Sequence, residues 1–535
     1  MNPDGLSYLD LASGALMSGP AKLMNAYWSP GYPALIGVAL FVFRPSPDQE
    51  FPVIHFVNFL VFILTLWAFS LFFRYWFAAT HGNDVDEVYE DKKRYLTPFA
   101  FCTFLYFTLK FIGTETVTPD LGVAATVFLA AGITCRLSLS GASWKHYVAL
   151  GFVLGVGYYL KAVMFPLGIV SLALLFVLPL SNNISRQRLM LSLSVFLFVA
   201  IPLVTALSVR ANRLTFGETG RLNYAWYANG IHWTDAEDKP GPNTIHNHPA
   251  PKLVTMPLTL ETLEFGSPIG GTYPLWYDPS YWYAGTKVRF DLRQQIAALR
   301  ETMRAYKDIV YDTMAFISGA IVLCGLLIGT RLHPNVPRSS WWQLAWPLTA
   351  CVMYALVHVE SRFLGAFLVL LWLAIYGALM FRVNRRVTVA ISATVLCTVM
   401  IPFTAHLAKE GARIARDLIY SRPPEYQIAA LGLRDLGLQK GDRLAIVGYA
   451  YNCYYARYDG LRIVAQIPDA NEFWHLSTPE LKVVGERLAS IGVRAVVASN
   501  RPDTTTLAGW KDVKISDSSR LSVLLLSPGV LGAAR

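Results

Sequence analysis

Phe51–Phe73, FPVIHFVNFLVFILTLWAFSLFF, runs for 23 residues without a Lys, Arg, Asp or Glu. As a helix rising about 1.5 Å per residue it reaches roughly 34 Å, enough to cross the hydrocarbon core of a bilayer. That stretch decides the class, an α-helical protein that spans a membrane. The rest of the chain agrees: of its 535 residues 54% are hydrophobic and only 15% charged, too apolar a balance for a soluble domain. A net charge of +10 would suggest nucleic acid in a soluble chain. Here Lys and Arg gathered in loops on one side of a membrane account for it, and no nucleic-acid partner is expected. Five of the six cysteines lie inside apolar runs and Cys453 stands alone, so neither a disulfide framework nor a zinc spacing is visible.

Outward from Phe51–Phe73, nine more apolar stretches read as spans, ten in all: Tyr95–Leu109, Leu121–Cys135, Tyr147–Leu160, Ala162–Leu180, Leu189–Val209, Thr313–Thr330, Trp341–Val357, Phe363–Phe381 and Val387–Leu407. Tyr32–Phe43, bounded by Pro33 and Pro45, is short and reads as a juxtamembrane helix. One set of short loops carries thirteen basic residues (Arg74, Lys92, Lys93, Arg94, Arg136, Lys145, Arg186, Arg188, Arg331, Arg338, Arg382, Arg385 and Arg386). The opposite side carries five (Lys22, Arg44, Lys110, Lys161 and Arg362). The first side is therefore expected in the cytoplasm.

Five regions follow. Residues 1–50 form an outer loop with the juxtamembrane helix, 51–209 a first set of spans, 210–312 a long extracytoplasmic loop, 313–407 a second set, and 425–535 a small extracytoplasmic α/β domain. The long loop is rich in aromatics, at Tyr224–Tyr227 and Tyr273–Tyr283, and reads as a lid or as a segment resting on the headgroups. Asp291–Lys307 reads as an amphipathic helix. In the last region, helices over Tyr426–Leu436 and Pro479–Ile491 alternate with strands at Arg443–Val447, Ala495–Ala498 and Leu521–Leu526, without a phosphate-binding glycine loop. On this topology Met1 lies outside the cytoplasm, so a first span is expected upstream of it.

Ionisable residues collect on the outer face: Asp4, Asp10, Glu115, Asp120, Lys161, His358, Glu360 and Arg362. Charges at a membrane face are costly and mark a site, a pathway or a partner. Each also has a plainer account. Asp10 reads as a solvated surface residue or helix-face charge, Asp120 as a helix N-terminal carboxylate, Lys161 as a snorkelling lysine, and Glu360 with Arg362 as a simple pair. His246 and His248 could be metal ligands, though no third ligand lies near them in sequence. Singly the plainer accounts win; together on one face the residues favour a site.

Five segments carry a resemblance to a known group: Asp4-x-x-x-Tyr8-x-x-x-Ala12, Trp28–Ser29–Pro30–Gly31–Tyr32–Pro33, Glu115-x-x-Thr118–Pro119–Asp120, Gly155-x-Gly157–Tyr158–Tyr159–Leu160–Lys161, and His358-x-Glu360-x-Arg362–Phe363. In order and spacing they resemble the polytopic GT-C glycosyltransferases that use polyprenyl-phosphate sugars, nearest the branch of protein O-mannosyltransferases and lipid A aminoarabinose transferases. The second segment departs from that branch, whose His-Pro-Pro-Leu histidine it lacks.

The resemblance implies an integral protein of a bacterial inner (plasma) membrane. It would move a sugar, with inversion, from a polyprenyl-phosphate donor to a hydroxyl of a lipid, a cell-envelope glycan or a protein. It implies Asp4 as general base and Asp120 as a second carboxylate, Lys161 and Arg362 for the donor phosphate, and Tyr8, Glu115, His358 and Glu360 for the substrate. No cofactor is implied, and a divalent metal is left open. The competing expectation is a flippase, transporter or binding scaffold for a polyprenyl-linked sugar. A transporter should carry charge near mid-bilayer and paired repeats, neither of which the sequence shows.

Overall fold

The computed structural model describes residues 2–81, 87–177, 183–231, 260–265, 270–284, 286–329, 341–380, 384–420, 423–499, 501–502, 509–516 and 519–526. His246, His248, Arg331, Arg338 and Arg382 lie outside them. The first half runs α1 (Pro3–Ser18), α2 (Gly31–Phe43), α3 (Pro47–His81), α4 (Glu87–Tyr106) with a π-turn over Phe107–Ile112, α5 (Asp120–Ser138), α6 (Trp144–Leu160), α7 (Met164–Val177) and α8 (Arg186–Ala211). The insertion holds α9 (Thr219–Tyr227), β1 (Leu263–Glu264), α10 (Pro274–Tyr277), α11 (Pro279–Trp282) and α12 (Leu292–Asp312). Then come α13 (Met314–Gly329), α14 (Trp341–Ala355), α15 (Ser361–Met380) and α16 (Arg385–Ile419). The chain closes with α17 (Glu425–Asp435), β2 (Arg443–Val447), α18 (Tyr454–Tyr458), β3 (Arg462–Ile467), α19 (Ala470–His475), α20 (Thr478–Ser490), β4 (Val493–Ala498), β5 (Trp510–Lys514) and β6 (Arg520–Leu525).

Each of the ten apolar stretches falls on a helix, but not each is long enough to cross. Among the described residues six helices qualify by length and composition: α3, α4 with its π-turn, α5, α8, α15 and α16. α12 and α13, bent 69° to each other, make a seventh if taken as one span. Over the described residues α6, α7 and α14 hold 17, 14 and 15 residues. Between α6 and α7 the backbone leaves the helix at Lys161 and turns through Ala162–Val163.

α15 and α5 are the innermost spans, 83% and 72% buried over their apolar windows. Small residues let the helices meet. A Cβ on Gly151 of α6 would stand 2.2 Å from the Ser192 carbonyl of α8, and one on Gly132 of α5 would stand 3.0 Å from the Phe72 Cα of α3. Without a hydrophobic drive between helices inside lipid, such close backbone packing carries much of the association. Aromatic contacts fill the centre, as where Phe69 stacks on Phe104 at 4.5 Å.

The six strands form one mixed sheet in the order β1-β3-β2-β4-β6-β5. β3, β2 and β4 are parallel; β1 pairs antiparallel with β3, and β6 with β4 and β5. Period-two alternation divides the buried side chains between its faces. Ala445 and Val447 pack with Phe473, Trp474, Val484 and Leu488. Leu444 and Ile446 belong to a second core that also holds Leu6 and Leu9 of α1, Tyr27, Trp28, Trp226, Tyr273 and Trp282. Aromatics of the insertion therefore contribute to a core between α1 and the sheet, and β1 of the same insertion lies at the sheet's edge.

Candidate functional site

α5 and α15 begin, and α6 ends, at one end of the bundle, and α1 lies across it. Four polar side chains converge there. Asp4, in the first turn of α1, meets Arg362 of α15 at 2.8 Å. Arg362 lies 3.6 Å from Oδ2 of Asp120, the first residue of α5. Asp120 Oδ1 accepts from Lys161, just past α6, at 2.6 Å. The charges suit their helix ends, carboxylates at the N-termini of α1 and α5 and an ammonium at the C-terminus of α6.

Further groups brace the cluster. Glu360 accepts from Arg362 Nε at 2.5 Å, and His358 Nε2 stands 3.2 Å from Glu360 Oε1. Tyr227 of α9 stacks on the His358 ring at 3.9 Å and 6° between planes. Lys161 sits 3.6 Å above the Phe363 ring, a cation–π contact that a guanidinium-to-ring distance of 5.1 Å repeats for Arg362. Tyr8 is buried against Trp28 and Tyr32, at 5.0 and 5.3 Å between centroids.

Burial, against the pull of Arg362, leaves the Asp4 carboxyl above the ordinary carboxylate range. Burial likewise lowers Lys161, against the opposing charge of Asp120. Burial would raise Glu360 too, but the His358 hydrogen bond and the Arg362 charge outweigh it and hold it at about 2. Burial and the nearby Asp4 charge push Tyr8 well above the ordinary phenol range. The cluster thus holds a strong anion in Glu360 and a carboxyl, Asp4, tuned toward taking up a proton.

Asp120 Oδ2 is buried and has no hydrogen-bond partner among the described residues. Its one charged neighbour there is Arg362, at ion-pair distance, and a buried acceptor without a hydrogen bond costs about 1–3 kcal/mol. Of the residues singled out in the sequence, Asp4, Tyr8, Asp120, Lys161, His358, Glu360 and Arg362 share this end. Glu115 does not join the ion pairs. It is exposed, and its carboxylate accepts from the Thr114 amide at 3.0 Å. It folds back on Gly113, where φ is +77° and a Cβ would stand 2.7 Å from Glu115 Oε1. Asn58, inside the charge-free stretch of α3, donates to the Thr114 and Thr116 carbonyls at 3.0 and 2.9 Å and so fixes that loop. Among the described residues no group of three or more His, Cys, Asp or Glu is arranged to hold a metal ion.

Asp10 is not a solvated charge. It is buried and accepts from the Thr272 amide at 2.7 Å and from Arg457 of α18 at 2.6 Å. Arg457 also holds Glu50 of α3 at 2.5 Å. Sequence reading assigns no role to Tyr227, Phe363 or Asn58, and it misses Glu50 and Arg457 as the partners of Asp10. Only the aromatic beside Arg362 and the lone Asn in an uncharged span hint at them.

Fold and site define a multi-pass α-helical membrane protein with a charged cluster at one end of its bundle. No family model matches the chain, and no curated protein does. Among solved structures it is similar to ArnT from Cupriavidus metallidurans in the apo state, at 14% identity over 99% of this chain and 94% of that one, with a TM-score of 0.41. The same protein bound to undecaprenyl phosphate is similar at 13% identity over 98% and 93%, with a TM-score of 0.49. The archaeal oligosaccharyltransferase AglB from Archaeoglobus fulgidus, in complex with an inhibitory peptide and a dolichol-phosphate, is similar at 12% identity over 93% of this chain and 65% of that one, with a TM-score of 0.43. These proteins are of the group that the five sequence segments resemble.

Proposed function

We propose that the protein is a membrane glycosyltransferase that moves a sugar from a polyprenyl-phosphate donor to an acceptor hydroxyl at the extracytoplasmic face, with inversion. The observation that carries this reading is the gathering of Asp4, Asp120, Lys161 and Arg362, from four separate elements, within hydrogen-bond or ion-pair reach of one another. A transfer from a lipid phosphate needs these parts: a base for the acceptor and cations where phosphate charge develops.

In the proposed step the acceptor oxygen bonds to the anomeric carbon as the bond from that carbon to the phosphate oxygen breaks. The hydroxyl proton passes to Asp4, whose burial makes it a better base than an exposed aspartate. The leaving phosphate takes the electron pair, and Arg362 and Lys161 turn toward it from their carboxylate partners. Asp120 Oδ2 accepts a hydrogen bond from the acceptor or the sugar. Glu360, His358 and Tyr227 hold Arg362 in place. The lipid tail lies among the spans, and the C-terminal sheet faces the same side as the donor head.

The test is transfer by purified protein in liposomes that contain a radiolabelled polyprenyl-phosphate sugar. A transferase releases polyprenyl phosphate and labels an acceptor supplied as a membrane extract. A flippase moves intact donor between leaflets, and a scaffold binds it unchanged. Either of those results, with no discharge, refutes the reading.

A further inference from the structure

A cavity of 1270 Å³ opens between the far end of α1, the turn from α2 into α3 at Pro45–Pro47, the Gly270–Thr272 segment and the C-terminal module. Its wall includes Asp10, Glu50 and Arg457, the buried network described above. Asp10 is six residues along α1 from Asp4, roughly 9 Å at a helical rise of 1.5 Å per residue. The cavity thus lies on the side of the bundle that carries the charged cluster, without being part of it.

Its electrostatics are lopsided. Arg457 is taken up by Asp10 and Glu50, and Arg434 by Asp459. Four more cations line the cavity with no ion pair among the described residues: Lys22, Lys440, Arg443 and Arg462. Against them stands one carboxylate without an ion pair, Glu264. Arg443 donates from one guanidinium nitrogen to the Ile491 carbonyl at 3.1 Å. Like charges gathered around a concave wall repel one another, and bringing an anion among them relieves the repulsion. Lys22 comes from the segment after α1 and the other three cations from the C-terminal module, so the arrangement exists only in the folded protein.

We propose that this cavity is a binding site for a phosphate-bearing ligand, held by Lys22, Lys440, Arg443 and Arg462. The phosphate belongs either to a lipid head group or to a water-soluble molecule. α2, whose Val38, Phe41, Val42 and Phe43 are exposed, places apolar surface just before the Pro45–Pro47 turn, where the tails of a lipid would run. The site requires no transfer chemistry and stands or falls apart from the function proposed above.

The experiment is calorimetric titration of tripolyphosphate into the full chain held in phosphatidylcholine nanodiscs. Wild-type protein binds saturably, and Lys440→Glu with Arg462→Glu weakens binding by about tenfold or more for each cation reversed. Lys482→Glu with Lys511→Glu, exposed and away from the cavity, leaves binding as in wild type. Lys440→Gln with Arg462→Gln replaces the charge reversals if these lower the unfolding temperature. Replacing part of the phosphatidylcholine by phosphatidylglycerol separates the two sources: a head-group site shows competition, and a site for soluble phosphate shows none. No saturable binding by wild type, or equal loss in the cavity and control variants, overturns the proposal.

Discussion

Arg457→Ala tests how the C-terminal module is fixed to the rest of the chain. The guanidinium donates to Asp10 at 2.6 Å, to Ser13 at 2.9 Å and to the two oxygens of Glu50 at 2.5 and 3.0 Å. The side chains of Asp10 and Glu50 are only 6% and 14% exposed, so its removal leaves two desolvated carboxylates facing each other. Breaking a buried pair from one side costs about 3–5 kcal/mol, a large part of what holds a typical domain. Asp10 already titrates above the ordinary range, because burial outweighs Arg457 and the Thr272 hydrogen bonds. Without the arginine its folded pKa rises further. A carboxyl raised above its unfolded value destabilises as pH rises past that value, so the variant's deficit grows toward neutral pH and shrinks on acidification. Arg457→Met with Asp10→Asn and Glu50→Gln removes all three charges and recovers most of the loss. Thermal unfolding in detergent, monitored by tryptophan fluorescence across pH, measures each case. An Arg457→Ala protein that melts with wild type at neutral pH refutes the proposed docking.

The other perturbations act nearer the charged cluster and in the bundle. Lys161→Gln removes the charge-assisted donor proposed for the phosphate and is expected to raise the donor dissociation constant about tenfold or more, read by binding of a fluorescent polyprenyl phosphate. Unchanged affinity would remove Lys161 from the phosphate site. The charge of Glu360 raises the Asp4 pKa, so Glu360→Gln moves the acid limb of the transfer rate to lower pH. A limb that stays or moves upward contradicts the base assignment. Gly151→Leu drives a side chain into the Ser192 backbone and costs about 1–3 kcal/mol, which the same unfolding assay detects, whereas Gly220→Ala, with open space around it, costs far less.

The membrane class is plain in the sequence because an uncharged apolar run as long as Phe51–Phe73 seldom occurs in a protein that stays in water. Span number is less so: hydropathy places the break at Lys161, between Tyr147–Leu160 and Ala162–Leu180, but does not say whether the helices on either side of it each cross. The gathering of Asp4, Asp120, Lys161, Glu360 and Arg362 can be read because charges at the ends of apolar runs stand out one by one. Their roles are a separate question from their meeting. The Asp10–Glu50–Arg457 network gives no such signal, since residues 10, 50 and 457 meet only when the sheet docks on α1. The edge strands hide for a related reason. β1 is two residues long, and β5, Trp510-Lys-Asp-Val-Lys514, exposes most of its side chains and lacks a buried strand's apolar run. The aromatics of the insertion suit a lipid interface and a protein core equally by composition, and only their contacts with Trp28 and α1 choose the core.

The proposed mechanism turns on Asp4 taking the acceptor's proton. That step is tested most directly by single-turnover transfer from a saturating polyprenyl-phosphate sugar, comparing wild type with Asp4→Asn. Asparagine keeps the size and a hydrogen-bonding oxygen for Arg362 but cannot accept the proton. The expected result is a fall of about 10²–10⁴-fold in the chemical step with donor affinity within a few-fold of wild type. A rate close to wild type at saturating donor would contradict it.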